Sequence, residues 1–241
     1  FQNIMKVIGI IPSRYNSTRF PGKPLVDING KSMIQRVYEQ CIKSSRLDEV
    51  VVATDDNRIL SHVKQFGGNV IMTSSIHTTG TERCYEASKK LSDEYSIIVN
   101  IQGDEPLINP LQIDELLMLF NDENTQIGTL ANKIDDLAEL KNKNSPKAIF
   151  DDEGYATNFC RVIKSTKKNI SYYKHIGLYA YRRDILNTIC IIPQSKNEIE
   201  EKLEQLRWLD NNYKIKVGKT LYKSYSVDIP EDIEKIKLQL I

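Results

Sequence analysis

Apolar and polar positions along the chain follow two periods. Short runs that are apolar nearly throughout, 7–10 (VIGI), 49–53 (EVVVA) and 97–101 (IIVNI), have the pattern of strands buried on both faces of a parallel sheet. Between them the apolar positions repeat at helical spacing. Met33, Ile34, Val37, Tyr38, Cys41 and Ile42 follow Ser32, a capping residue, and Ile59, Leu60, Val63 and Phe66 precede Gly67-Gly68, a stop. A short strand is predicted at 69–72, and Thr79-Gly80-Thr81-Glu82 fits a capping box opening a helix to Leu91. A helix with Pro at its start is predicted over 110–120 and a strand over 127–132. Strand and helix in alternation predict an α/β fold with a mainly parallel central sheet and helices on both faces, Rossmann-like in outline.

From about Asp135 the texture changes. Asn and Lys become frequent, and alternating stretches such as 174–182 suit antiparallel strands. A helix is predicted over 198–211, strands over 214–217 and 222–227, and a last helix opened by Asp228-Ile229-Pro230-Glu231-Asp232. The expectation is a single domain in which about 135–225 form a smaller antiparallel subregion. No repeat or low-complexity linker interrupts it.

Chemistry concentrates in the loop after the first strand, IPSRYNSTRFPGKPL. Pro12 lacks an N–H and ends the ladder, so the loop lies at a strand's carboxyl end, where open α/β sheets hold ligands. Arg14, Arg19 and Lys23 stand there among Ser13, Ser17 and Thr18, while Pro21, Gly22 and Pro24 restrict the backbone. Three cations on a restricted loop ask for an anion, and two or three such groups suit the β and γ phosphates of a nucleotide. The competing reading is a solvated surface loop. The loop is neither G-x-G-x-x-G nor a Walker A. Lys plus Arg (33) nearly balances Asp plus Glu (32), which argues against a dedicated nucleic-acid or membrane-surface protein. With no signal peptide or transmembrane run in view, the expected location is cytoplasmic. Cys41, Cys84, Cys160 and Cys190 lack metal spacing and are read as reduced, mostly buried thiols. Residues 1–4 have the look of a tag remnant, with Met5 a natural start.

Asp104 follows the most apolar strand, where a carboxylate is costly unless paired or bound to a cation. Mg²⁺ is the natural partner, taking one or two carboxylates plus phosphates and water, and Asp228 is the second carboxylate nominated. Each has a structural alternative: a turn residue for Asp104, an N-cap for Asp228. For Asp55 and Asp56 the N-cap role is preferred over a metal pair. His62 and His77 show no catalytic spacing. His175, beside Tyr173 and Tyr179, fits either a ligand contact or a satisfied backbone carbonyl. No covalent-catalysis signature appears.

The segments IPSRYNSTRFPGKPL, VVVATDD, MTSSIHTTGTER, VNIQGDEPLI, YKHIGLYAYR, EKLEQLRWL and VDIPEDIEK together resemble the 3-deoxy-manno-octulosonate (Kdo) cytidylyltransferases. The resemblance implies the nucleotide-sugar transferase type of fold and a homodimer whose smaller subregion serves sugar binding and dimerisation. It also implies Mg²⁺-dependent joining of CMP from CTP to Kdo with release of pyrophosphate, for lipopolysaccharide biosynthesis. Carried over by residue, Arg14 and Lys23 grip phosphates, with Ser17, Arg19 and Arg83 on the nucleotide side. Gln102 lies where nucleotide and sugar meet, Asp104 and Asp228 hold the metal, and Arg161, His175, Tyr179, Glu204 and Gln205 face the sugar. Related enzymes accept sialic acid or an amino analogue of Kdo, and the later segments favour Kdo. A nucleotide-binding regulatory module is the rival from another class, against which the two carboxylates argue. One departure is the stretch 164–171, short and polar where the family has an Ile-Pro step and a longer loop.

Overall fold

A computed structural model describes residues 5–163 and 171–240. The expected tag remnant at 1–4 and nearly all of the shortened loop therefore lie outside the described residues. The chain separates into two compact units, one formed by the residues through Asp114 together with those from Ser224 onward, the other by Glu115–Lys223.

The first unit begins with β1 (Lys6–Ser13), whose Ile8, Ile10 and Ile11 are fully buried. A hairpin of β2 (Asp27–Ile28) and β3 (Lys31–Ser32) turns through Asn29 (φ 50°) and Gly30 (φ 80°), the left-handed pair of a tight two-residue turn. Ser32 then caps α1 (Met33–Cys41) by accepting from the Gln35 N–H at 3.2 Å. β4 (Glu49–Thr54), α2 (Asn57–Gln65), β5 (Val70–Met72), α3 (Gly80–Lys89) and β6 (Tyr95–Asn100) follow. β1 pairs in parallel with β4 and β6, and β4 in parallel with β5, so all four strands run the same way. Ser13 lies opposite Thr54 and Ile10 opposite Asn100, which puts the loops after these strands along one edge. The helix Asp232–Leu238 closes the unit, burying Val227, Ile233 and Ile236 against Ile28 and Met33, with Phe20 of the basic loop packed on the same cluster. That apolar contact fixes both the loop and the segment carrying Asp228.

α4 (Pro110–Met118) carries the chain into the second unit. There β7 (Ile127–Ile134), α5 (Leu137–Lys141), β8 (Lys147–Phe150), β9 (Ala156–Cys160), β10 (Tyr172–Arg182), α6 (Arg183–Ile189), α7 (Lys196–Glu201), α8 (Gln205–Asp210) and β11 (Ile215–Thr220) succeed one another. β10 is antiparallel to β7 and β8, and β8 to β9, while β11 runs parallel to β7. The fold is thus α/β, a mainly parallel sheet flanked by helices with a smaller antiparallel part.

Two expected elements differ. The helix predicted over 198–211 is broken at Lys202, which takes a left-handed φ of 54°. Arg161 holds the break, donating from Nε to the Glu201 carbonyl (2.8 Å) and from Nη2 to the Lys202 carbonyl (3.1 Å). No strand forms at 222–227. Asn132 Nδ2 donates to the Thr220 and Tyr222 carbonyls, and the Val227 N–H donates to the Asp104 carbonyl, so the ends of that stretch bond to a side chain and a loop. All four cysteines are free, Cys41 and Cys84 buried, Cys160 and Cys190 half-buried.

Candidate active site

The basic loop is shaped by two glycines at which a side chain would be crowded. Gly22 has φ +74° and its missing Cβ would lie 3.1 Å from the Tyr15 hydroxyl; the Gly103 position leaves 3.0 Å to the Pro12 carbonyl oxygen. Gly22 feeds the single 3₁₀ turn Lys23–Leu25, which aims Lys23 back across the end of β6. Lys23 Nζ donates to Asp104 Oδ2 at 2.7 Å and to the Val227 carbonyl at 2.8 Å. Arg19 Nη2 donates to Asp228 Oδ1 at 2.7 Å. Arg58 stacks on Tyr15, 3.3 Å from the ring centre, and bonds Asp56, so the loop's far side is anchored too.

The loop borders a cavity of about 240 Å³ in the first unit, with Asp104 among its lining residues and Asp228 not. Arg14, Ser17, Arg19, Lys23, Arg83, Gln102 and Asp104 all line it, so every residue assigned to the nucleotide side is brought together. Arg83 differs from the others in its surroundings. It is buried, its guanidinium donating to Thr73 Oγ1 (2.6 Å), the Ser74 carbonyl (3.3 Å) and Asp55 Oδ2 (3.1 Å), so it ties three segments behind the wall. Asp55 is therefore a structural partner, and Asp56 caps α2 as expected.

Two further lining residues are Ser13, named in the loop but given no separate role, and His77. Ser13 Oγ is buried and has no hydrogen-bond partner among the described residues. His77, set aside for want of spacing, lines the cavity beside Thr78 and Thr79 with its Nε2 on Glu86. Burial pushes the Glu86 carboxyl up, but bonds from Lys90, the Ser74 N–H and His77 outweigh it and hold the group down at about 2. The local signal was the capping box itself, since Thr79 and Glu82 fix the end of α3 and with it the preceding loop.

Asp104 and Asp228 each hold a cation of the loop, and Val227 joins them, its N–H on the Asp104 carbonyl and its own carbonyl on Lys23. Asp228 is not an N-cap: the Asp232 carboxylate accepts from the Asp228 and Ile229 N–H groups at 3.1 and 3.2 Å instead. No group of three or more His, Cys, Asp or Glu side chains fit to hold a metal occurs among the described residues. Two carboxylates that already draw ammonium and guanidinium groups nonetheless fit a hard divalent cation completed by phosphate and water.

The five sugar-side residues belong to the second unit. His175 is buried; its Nε2 lies 3.0 Å from Thr129 Oγ1, and burial drives its pKa down to about 3, so the ring is neutral. The ring's partner is thus a threonine hydroxyl and not the backbone carbonyl of the structural alternative. Thr129 in turn bonds the Ile176 and Leu178 carbonyls at the bulge of β10. Tyr179 stacks with Tyr181 and meets Trp208 edge-on at 5.2 Å, and its buried hydroxyl has no partner among the described residues. Burial and then the Glu204 charge raise that hydroxyl's pKa well above its ordinary value, keeping it a donor. Glu204 opens α8, 3.6 Å from Arg207, whose guanidinium is paired with Glu198 at 2.7 Å; Gln205 is buried. Arg161 corrects its expectation in part, because three of its donors go to the carbonyls of Glu201, Lys202 and Lys143. A hollow of about 520 Å³ in this unit is lined by Asn158, Cys160, Val162, Asn197 and Glu200 among others, and by none of the five.

Parallel strands ending in a cation-lined cavity that holds Asp104, with Asp228 paired to a loop cation, define an α/β nucleotidyltransferase. The model of the family described as cytidylyltransferase matches residues 8–216. A 3-deoxy-manno-octulosonate cytidylyltransferase of Parabacteroides distasonis is 54% identical over 96% of this chain and 97% of its own, and one of Bacteroides thetaiotaomicron is 48% identical over 95% and 96%. The solved structure of CMP:2-keto-3-deoxy-manno-octonic acid synthetase complexed with CTP superposes with a TM-score of 0.92 at 38% identity, covering 98% of each chain. A 4-diphosphocytidyl-2C-methyl-D-erythritol synthase from Anaerococcus prevotii, 13% identical over 98% of each chain with a TM-score of 0.67, shares the fold alone. The chain belongs to the family of 3-deoxy-manno-octulosonate cytidylyltransferases.

Proposed function

We propose that the chain transfers the CMP group of CTP to Kdo, giving CMP-Kdo and pyrophosphate, as its relatives' names state of them. The carrying observation is the set of Arg14, Arg19 and Lys23 around a cavity that Asp104 and Gln102 also line. A triphosphate entering there meets Arg14 and Lys23, which neutralise its charge and orient the departing pyrophosphate. Ser13 and Ser17 offer hydroxyls to phosphate or ribose oxygens. The rate gain then comes from holding an acceptor hydroxyl in line with the α-phosphorus, with no protein nucleophile. Mg²⁺ is the cofactor of this reading, held by Asp104 and Asp228, where it would supply Lewis-acid stabilisation of phosphoryl charge. On the sugar side, Tyr179 has a hydroxyl still to be satisfied, Glu204 and Gln205 belong to the same unit, and His175 supports the Tyr179 ring at 5.3 Å. The chain works as a homodimer in the cytoplasm, supplying activated Kdo to lipopolysaccharide synthesis. Among the described residues no helix is long and apolar enough to cross a membrane.

Pyrophosphate release from CTP, measured with Kdo, sialic acid and the amino analogue of Kdo as acceptors, tests the proposal. Kdo should support turnover far above the other two. Release with none of the three overturns transfer to a sugar of this class, and preference for sialic acid overturns the acceptor.

A further inference from the structure

Two of the cavity's cations already hold carboxylates, Lys23 on Asp104 and Arg19 on Asp228. Lys23 and Asp104 form the more enclosed pair, with side-chain exposures of 16% and 26%, against 67% and 46% for Arg19 and Asp228. Lys23 is further pinned by the Val227 carbonyl, so its ammonium occupies the very side of Asp104 that faces the second carboxylate's segment. A divalent cation approaching Asp104 meets a like charge at hydrogen-bond range, and in a partly enclosed site that repulsion is poorly screened. A triphosphate has the opposite effect. It offers Lys23 a polyanion in place of one carboxylate, and once the ammonium moves to it Asp104 is left exposed as a strong oxygen ligand.

We propose that Lys23 couples nucleotide and metal binding: seated on Asp104 it keeps divalent cations out, and drawn onto a triphosphate it releases the carboxylate to accept one. The proposal rests on reading the cavity as the CTP site. It makes the two ligands mutually reinforcing, each raising the other's affinity by the same factor. Arg19 on Asp228 works in the same sense more weakly, because that pair is exposed and screened. The order that results has a chemical use: a metal cannot settle on the carboxylates in a form that leaves Lys23 without its phosphate.

The test uses the full chain without nucleotide and Mn²⁺ as the divalent probe, free Mn²⁺ being read by electron paramagnetic resonance. Lys23→Gln and Lys23→Met should bind Mn²⁺ at least about tenfold tighter than the unchanged protein. Adding Asp104→Asn should abolish the gain, and Lys23→Arg, which keeps the charge, should stay at the starting level. The proposal is overturned if both neutral variants, folded by circular dichroism, bind Mn²⁺ no tighter, if the gain survives Asp104→Asn, or if the unchanged protein already binds as tightly. The readout needs neither substrate nor turnover, so its failure leaves CMP transfer standing. Absence of pyrophosphate release would fail the functional reading while leaving the Mn²⁺ result intact.

Discussion

At the scale of single residues, the same loop cation has two partners to choose between, and that sets what a substitution does. Removing Lys23 or Arg14 deletes a charge aimed into the cavity, and losing one charge-assisted contact costs on the order of 1.5 to 3 kcal/mol. Lys23→Ala and Arg14→Ala should therefore weaken CTP binding by at least about tenfold in a calorimetric titration; unchanged affinity in both would take the loop out of the site. The carboxylates should behave differently. Asp104→Asn and Asp228→Asn remove charge that in the ligand-free protein serves only Lys23 and Arg19, so CTP should still bind while Mg²⁺-dependent turnover falls by several orders of magnitude. Turnover near normal in either variant would sink the two-carboxylate metal site. The residue types and their clustering were legible from the loop's own composition, because cations, prolines and glycine fall within one strand-end segment. Lys23's grip on Asp104 was not, since it joins positions 81 residues apart through a left-handed glycine.

Elements show where local pattern governs and where a distant side chain overrides it. Ser32, Asp56 and Thr79 cap the helices they were expected to cap, because a capping bond closes within three residues and needs nothing from the rest of the fold. The run 198–211 carries helical periodicity throughout and still breaks at Lys202, because Arg161 takes the carbonyls that the next turn would have used. That dual candidacy of Arg161, helix break or sugar contact, can be separated by experiment. If it secures the α7–α8 junction, Arg161→Ala should lower the melting temperature by several degrees, equivalent to about 1 to 2 kcal/mol, and leave the KM for Kdo within about threefold. A KM raised more than tenfold at unchanged melting temperature would return Arg161 to the sugar. His62 and His77 make the same point on a smaller scale: neither spacing nor periodicity marks them, yet one bonds Ser32 Oγ at 2.7 Å and the other reaches the cavity wall.

For the whole molecule, the parallel first unit was readable because its strands are nearly pure apolar runs, whereas the second unit's strands alternate, bulge and pair across long separations. The bulge of β10 illustrates the cost of that complexity: Thr129 satisfies its carbonyls, and His175, 46 residues away, is buried against the Thr129 hydroxyl. A neutral buried imidazole ties stability to pH. The folded-state pKa of His175 is about 3, and an unfolded histidine titrates near about 6.5, so between these values the unfolded chain takes up a proton that the folded chain refuses. Stability is full above the unfolded value and falls as the pH drops below it, by up to about 1.4 kcal/mol per pH unit. Glu86 adds a second loss in the same direction but lower down, from its ordinary 4.5 toward about 2. Melting temperatures should therefore be level between pH 8 and 7, decline from pH 6.5 to 5 through His175, and fall more steeply below pH 4.5. His175→Gln keeps a donor for Thr129 Oγ1 and does not titrate, so the decline between pH 6.5 and 5 should flatten in that variant while the steep portion below pH 4.5 remains. A variant that retains the original slope across pH 6.5 to 5 would show that the buried ring is not what makes the protein acid-sensitive there.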